Sequence, residues 1–253
     1  MIRDATQHAI ARQLFVAHSS TLCENARRIY LREAATDTCG EGVSFVTLQR
    51  LVPRIEAHFR VQCEWPKARQ IDYPTFHRHI WPSIELSLTS SKGVSALLVW
   101  KKLQSVLKGS VEAVEADLCV AEGGRGVGER GAMALTKAEY LSLGVKHERL
   151  DEARREIVYK AAKLYHAKRP PDAWDQADRV LAAIRHVGLK ARKAFPHCGY
   201  GAAMRLYLQH EGADLTQRLY ADEVQDCTPA ELLLLTLACG GDVDHLFLGI
   251  WHL

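Results

Sequence analysis

The sequence predicts an α/β protein whose core is built from the two ends of the chain and interrupted by a large, mainly α-helical insertion. Three observations carry this. Leu14-Phe15-Val16-Ala17 is a short apolar, aromatic and β-branched run that breaks into polar His18-Ser19-Ser20, the pattern of a buried strand ending in a loop. Arg218-Leu219-Tyr220-Ala221 repeats the pattern and breaks into the acidic Asp222-Glu223-Val224-Gln225-Asp226. Between the two, from about residue 36 to 205, apolar residues recur at helical spacing and strand patterns are scarce.

The elements follow in order. After the first strand, Thr21 with Glu24 three residues on forms a capping box, and Leu22, Ala26, Ile29 and Tyr30 then recur at helical spacing. Val46 to Phe59 is expected as an amphipathic helix on Leu48, Leu51, Val52, Ile55 and Phe59, and Val94 to Leu107 as another. Thr136 and Glu139 form a second capping box, opening a helix at Lys137. A helix from Arg154 to Ala167 carries Ile157, Val158, Ala161, Leu164 and Tyr165 on one face, and Pro170-Pro171 stops it. Trp174 to Val187 is helical again. Thr228-Pro229-Ala230-Glu231 puts Thr at a cap, Pro at the first helical position and Glu at the third, ahead of a leucine run. His245 to Gly249 reads as a last strand. The expected division is therefore a first part of the core at 1–35, a helical insertion at 36–205 and a second part of the core at 206–253. No repeat of 20–50 residues is visible, which removes solenoid architectures.

Composition excludes several classes. With 33 Lys and Arg against 30 Asp and Glu, a net charge of +3 and 47% hydrophobic residues, the chain is ordinary for a folded protein rather than disordered. The charge is compatible with nucleic acid but too small to argue for it alone. Seven cysteines with no C-x-x-C pair read as reduced, mostly buried thiols. The start is too polar for a secretory signal. The longest apolar run, Leu232 to Ala238, is far short of the roughly 18–20 residues that a membrane span requires. An intracellular protein, cytoplasmic or nuclear and without membrane contact, is the expectation.

The informative residues are the carboxylates that follow the second strand, because open α/β sheets bind ligands just beyond the carboxyl ends of their strands. Asp222 is placed to hold Mg²⁺, with Asp226 a weaker candidate, since a hard cation in a nucleotide site takes one or two carboxylates plus phosphate oxygens. Glu223 is placed to polarise the water that attacks a γ-phosphate, and Gln225 to sense that phosphate. The plainer reading is that an acidic pair solvates the loop and favours the N-terminus of the next helix.

The string LYADEVQDCTPAELLLL resembles motif II, the Walker B element, of the UvrD-like group of superfamily 1 helicases, which reads apolar strand, D-E-x-Q-D, then a helix opening with T-P-x-E. QLFVAHSSTLCENARRIY is similar to that family's motif Ia, whose loop touches single-stranded nucleic acid; the resemblance implies Ser19, Ser20 and Thr21 as contacts, although the family usually has Thr where His18 stands. LLVWKKLQSVLKGS, LTKAEYLSLG and VYKAAKLYHAKRPPDAWDQADRVL resemble the helical subdomain between those motifs, especially in large eukaryotic repeat-containing proteins. The resemblance implies an incomplete RecA-like P-loop NTPase core, with ATP and Mg²⁺ as cofactors, DNA or RNA as partner and protein partners on the helical insertion. It also implies an ATP-dependent helicase or translocase, here a fragment inactive alone: no G-x-x-x-x-G-K-[ST] (Walker A) is present, and motifs III–VI and the second ATP-binding domain with its arginine finger are absent. The alternative is a degenerate module that binds protein or nucleic acid without turning over ATP.

Four further features have bland readings beside the functional ones. The glycine-rich run Gly123 to Gly131 contains G-x-G-x-x-G but follows no strand, so a flexible loop is expected. His77-Arg78-His79 lacks accompanying metal ligands and reads as surface. Arg185 to Lys193 holds four Lys or Arg and no acid, either a phosphate contact or a basic helix end. Trp174 with Asp175 and Asp178 is read as an anchor packing the insertion onto the core, with base stacking as the alternative.

Overall fold

The computed structural model describes residues 13–34, 42–62, 66, 69–88, 93–123, 133–144, 149–211, 215–240, 244 and 246–249. In chain order, β1 (Gln13–Ala17), α1 (Ser20–Ala34), β2 (Val43–Thr47) and α2 (Leu48–Phe59) come first. Next is α3, made of Tyr73–Thr75, a π-wound Phe76–Ile80 and Trp81–Ser87; then α4, made of Ala96–Lys102 and a π-wound Leu103–Leu107. There follow α5 (Val111–Ala121), α6 (Lys137–Ser142), α7 (Glu152–Lys168), α8 (Gln176–Ala194), α9 (Tyr200–Glu211), β3 (Arg218–Asp222), α10 (Pro229–Ala238) and β4 (Leu246–Gly249). The chain divides into a sheet unit, Met1–Gln62 with His186–Cys227 and Glu231–Leu253, and a helical unit, Cys63–Arg185 with Thr228–Ala230.

The sheet unit holds four parallel strands in the order β2-β1-β3-β4. β1 and β3 are central and read as unbroken apolar runs, because a central parallel strand is covered on both faces. Phe15 stands opposite both Phe45 of β2 and Tyr220 of β3, and these pack with Ala17, Cys23 and Ala26. The chain leaves β1 through α1 towards one edge of the sheet and leaves β3 through α10 towards the other. Strand order therefore reverses between β1 and β3.

Two local expectations are corrected here. Val43–Thr47 is a strand, not the start of the helix expected from Val46, because its pairing with β1 from Gln13–Val43 to Ala17–Thr47 outweighs the helical spacing that begins at Leu48. And α1 is capped by Ser19, whose Oγ accepts the Leu22 amide at 3.3 Å, rather than by Thr21.

Most of the basic run Arg185 to Lys193 is engaged within the protein, while Lys193 is exposed. His186 Nε2 and Lys190 Nζ donate to the Phe59 carbonyl at 3.0 and 3.2 Å, closing the C-terminus of α2, where positive charge is favoured. Arg185 forks onto Asp117, and Arg192 donates to the carbonyls of Pro196 and Cys198. These contacts match the helix-end reading for His186 and Lys190.

The helical unit has its own core, with Phe76, Ile84, Val99, Leu103, Leu107, Leu135, Tyr140, Val158 and Tyr165 at most 1% exposed. The Thr136–Glu139 capping box forms as expected. Arg155 donates to the carbonyls of Leu141, Leu143 and Leu150 and so fixes α6 against α7. At the centre is a charged network. Lys108 Nζ donates to Asp175 Oδ2 at 2.5 Å and to Asp178 Oδ1 at 2.6 Å, Arg169 donates to Asp178, and the Tyr165 hydroxyl donates to Asp175 at 2.8 Å. Asp175 and Asp178 also accept each other's backbone amides, a reciprocal cap on α8.

Trp174 belongs to this arrangement. Its indole donates to the Pro66 carbonyl at 3.0 Å and its ring lies under Arg179, so these contacts serve the helical unit itself and not the anchoring onto the core that was expected. His77, Arg78 and His79 are exposed, as expected. Gly124 to Gly131 lies outside the described residues. Among those residues, no helix is long and apolar enough to cross a membrane.

Two predictions follow from the network. Lys108→Ala removes the cation shared by the buried Asp175 and the half-buried Asp178, leaving them to Tyr165 and Arg169, and costs about 3 kcal/mol of stability in urea denaturation; a loss under about 1 kcal/mol contradicts the central role given to Lys108. His166, packed edge-on against Tyr165, is held neutral: burial, then the charges of Lys108 and Arg169, lower its pKa from 6.5 to about 3. Between those values the unfolded chain binds a proton that the folded chain refuses, so stability falls as pH drops from 6.5 towards 3. Replacing His166 with Phe flattens that slope, measured as urea midpoints at neutral and mildly acidic pH.

Candidate functional site

At the carboxyl ends of β1 and β3 two segments lie side by side, His18–Thr21 and Glu223–Cys227, because Val16 is registered against Ala221. Asp222 is the last residue of β3 and is 1% exposed. Its Oδ1 accepts the Glu223 amide at 2.9 Å, which turns the chain sharply away from the strand. Glu223 sits at φ 54°, ψ 41°, left-handed backbone that costs a residue with a Cβ about 1 kcal/mol. Gln225 Nε2 donates to Glu223 Oε2. Val224–Asp226 then makes one 3₁₀ turn, with the Asp226 amide on the Glu223 carbonyl at 2.9 Å.

The structure thus brings Asp222, Glu223, Gln225 and Asp226 into one turn, in which Gln225 and Asp226 are exposed. A carboxylate is a ligand type that hard cations take. Asp222 supplies carboxylate oxygens at a fixed, buried position, and among the described residues no set of three or more His, Cys, Asp or Glu gathers into an all-protein metal cage. Mg²⁺ is bound in this way, by one or two carboxylates with phosphate oxygens and water.

Ser19, the cap of α1, and Ser20 and Thr21, its first residues, are exposed. Ser19 is occupied in capping, whereas Ser20 lines a cavity of about 550 Å³ between α1, β2 and α2, shared with Arg27, Thr47, Arg50 and Arg54. Arg27 is 3.9 Å from Glu24, so this wall carries three guanidiniums against one carboxylate. Sequence reasoning missed these arginines. The signal was present in Arg50 and Arg54, four apart on α2, but the third comes from a helix on the other side of β2.

A second missed contact ties the loops together: Cys227 Sγ lies 3.3 Å from His18 Nε2. Burial, then the charges of Glu231 and Asp226, push the Cys227 thiol up to about 12, so it is a neutral hydrogen-bonding partner rather than a nucleophile. Cys23, Cys119, Cys198 and Cys239 are also free thiols.

No protein-family model matches the chain. A human protein described as TPR and ankyrin repeat-containing protein 1 is similar, 29% identical over 178 residues that cover 70% of this chain and 5% of that protein. The chain therefore spans about a twentieth of that relative's length. These findings overturn the assignment to the UvrD-like helicases, since no helicase family is found and the similar protein is named for repeats. The physical reason lies in how short the motifs are. Acidic residues after a buried strand and Thr-Pro-x-Glu at a helix start are each favoured by local energetics, so such a string arises without common family membership.

One prediction tests the strain at Glu223. Glu223→Gly relieves the left-handed backbone and raises stability by about 1 kcal/mol in denaturant titrations. A fall in stability instead would show that the bond to Gln225 holds the turn.

Proposed function

We propose that the sheet unit binds a Mg²⁺–nucleoside triphosphate, ATP, at the β1–β3 edge, and that the chain is part of a protein coupling ATP hydrolysis to translocation on, or unwinding of, DNA or RNA. The observation that carries this is the placement of one buried and one strained carboxylate where the strand order of a parallel sheet reverses, the position at which open α/β sheets take their ligands. On this reading the sheet unit is a RecA-like core. Asp222 holds the cation, Glu223 accepts the proton of the attacking water, and Gln225, bonded to Glu223, carries the state of the γ-phosphate into the turn. Mg²⁺ itself would offset the charge on the phosphate oxygens. The arginine-lined cavity beside Ser20 supports the nucleic-acid half of the reading, because guanidiniums pair with phosphates in bidentate fashion.

A second reading is favoured by one observation: the similar protein is named for TPR and ankyrin repeats, not for an enzymatic activity. It makes the chain a module that binds protein or nucleic acid without turning over ATP. The two readings part on one experiment. Under the first, saturating Mg·ATP stabilises the chain by about 2.7 kcal/mol at 100-fold over Kd, and Asp222→Asn abolishes that gain without lowering the melting temperature of the free protein. No Mg·ATP-dependent shift, or one that survives Asp222→Asn, overturns the nucleotide site. For the nucleic-acid half, Arg50→Glu with Arg54→Glu weakens binding of a single-stranded oligonucleotide uniformly across sequences and lowers its salt slope by about 2.

A further inference from the structure

The helical unit carries a second concavity, independent of the nucleotide reading, on the outer face of α7 where α6 meets it. It encloses about 640 Å³ and is lined by Lys137 of α6 and by Ala153, Glu156, Ile157, Lys160 and Lys163 of α7, with Tyr159 beneath. The floor is apolar: Ala153 is exposed, and Ile157 is half-buried against the core. The rim is basic. Glu156 is the single acid of the lining, and Lys137 Nζ takes it at 2.5 Å, which leaves the ammoniums of Lys160 and Lys163 in no ion pair among the described residues. The walls are rigid, since the Thr136–Glu139 capping box, the three carbonyls held by Arg155 and the Tyr159 hydroxyl on the Leu135 carbonyl fix α6 and α7 together.

We propose that this face docks an acidic segment of a protein partner, seating one apolar side chain over Ala153 and Ile157 and flanking carboxylates on Lys160 and Lys163. Charge complementarity selects the acidic partner. The apolar floor selects a peptide over a nucleic acid, because a phosphate backbone has nothing to bury there, whereas an amphipathic segment removes both surfaces from water. Preformed walls lower the ordering cost of association.

The test is fluorescence polarisation of the full chain against a labelled helical peptide of about 15 residues, with Leu at successive turns flanked by Glu. A Lys-for-Glu version and a labelled oligothymidylate are the comparison probes. The Glu peptide binds, the Lys version does not, and affinity falls with salt. Lys160→Glu with Lys163→Glu, both exposed, weakens the Glu peptide by about 10-fold. Ala153→Arg adds charge but fills the floor, and it also weakens binding. The proposal is overturned if the Glu peptide fails to bind or binds no better than its Lys version. It is equally overturned if the double variant leaves affinity unchanged, if Ala153→Arg tightens binding, or if oligothymidylate displaces the peptide through the same lysines. Circular dichroism of each variant separates loss of the surface from loss of the fold.

Discussion

The parallel pairing of β1 with β3 is the constraint on which the sheet unit depends. These strands lie far apart in sequence, and their pairing sets the register that places Val16 opposite Ala221. From that register follow the burial of Asp222, the proximity of the two loops beyond the strands and the His18–Cys227 contact. It also produces the reversal of strand order, since each strand of the pair sends its following helix and strand to its own side. The candidate site is thus a consequence of topology before it is a consequence of any motif.

Two features at this edge run against what stability alone selects. A fully buried aspartate carries a desolvation cost that a leucine would not, and Glu223 occupies backbone that a glycine would adopt with less strain. Local violations of this kind concentrate where a protein binds or reacts. The helical unit buries charge as well. Its buried charges are numerous, yet Lys108, Arg169, Tyr165, Asp175 and Asp178 satisfy one another and cap α8, so the cluster is explained by structure and calls for no ligand.

Much of this was legible in the sequence, for identifiable reasons. β1, β3 and the helix after β3 announce themselves because central parallel strands are apolar on both faces and Thr-Pro-x-Glu is a strong helix start. β2 was not legible: Val43–Thr47 is an edge strand with mixed burial, and it runs into Leu48 with no turn residue to part strand from helix. The cap of α1 was misassigned by two residues, since Ser19, Ser20 and Thr21 are all chemically able to serve and only the position of the first helical turn decides. Asp222, Glu223 and Gln225 are neighbours in the chain and could be read together. The guanidiniums of Arg27, Arg50 and Arg54, and the pair His18 and Cys227, are joined only by folding, and no local pattern announces them.

The proposed nucleotide site puts a divalent cation with a triphosphate at the β1–β3 edge. Mn²⁺, which takes the same oxygen ligands as Mg²⁺, reports its own position by broadening the amide resonances around it. With a non-hydrolysable ATP analogue present, the account predicts selective broadening at Ala221–Gln225 and at His18–Thr21, absent in Asp222→Asn. Broadening elsewhere, or none that depends on the nucleotide, would contradict it.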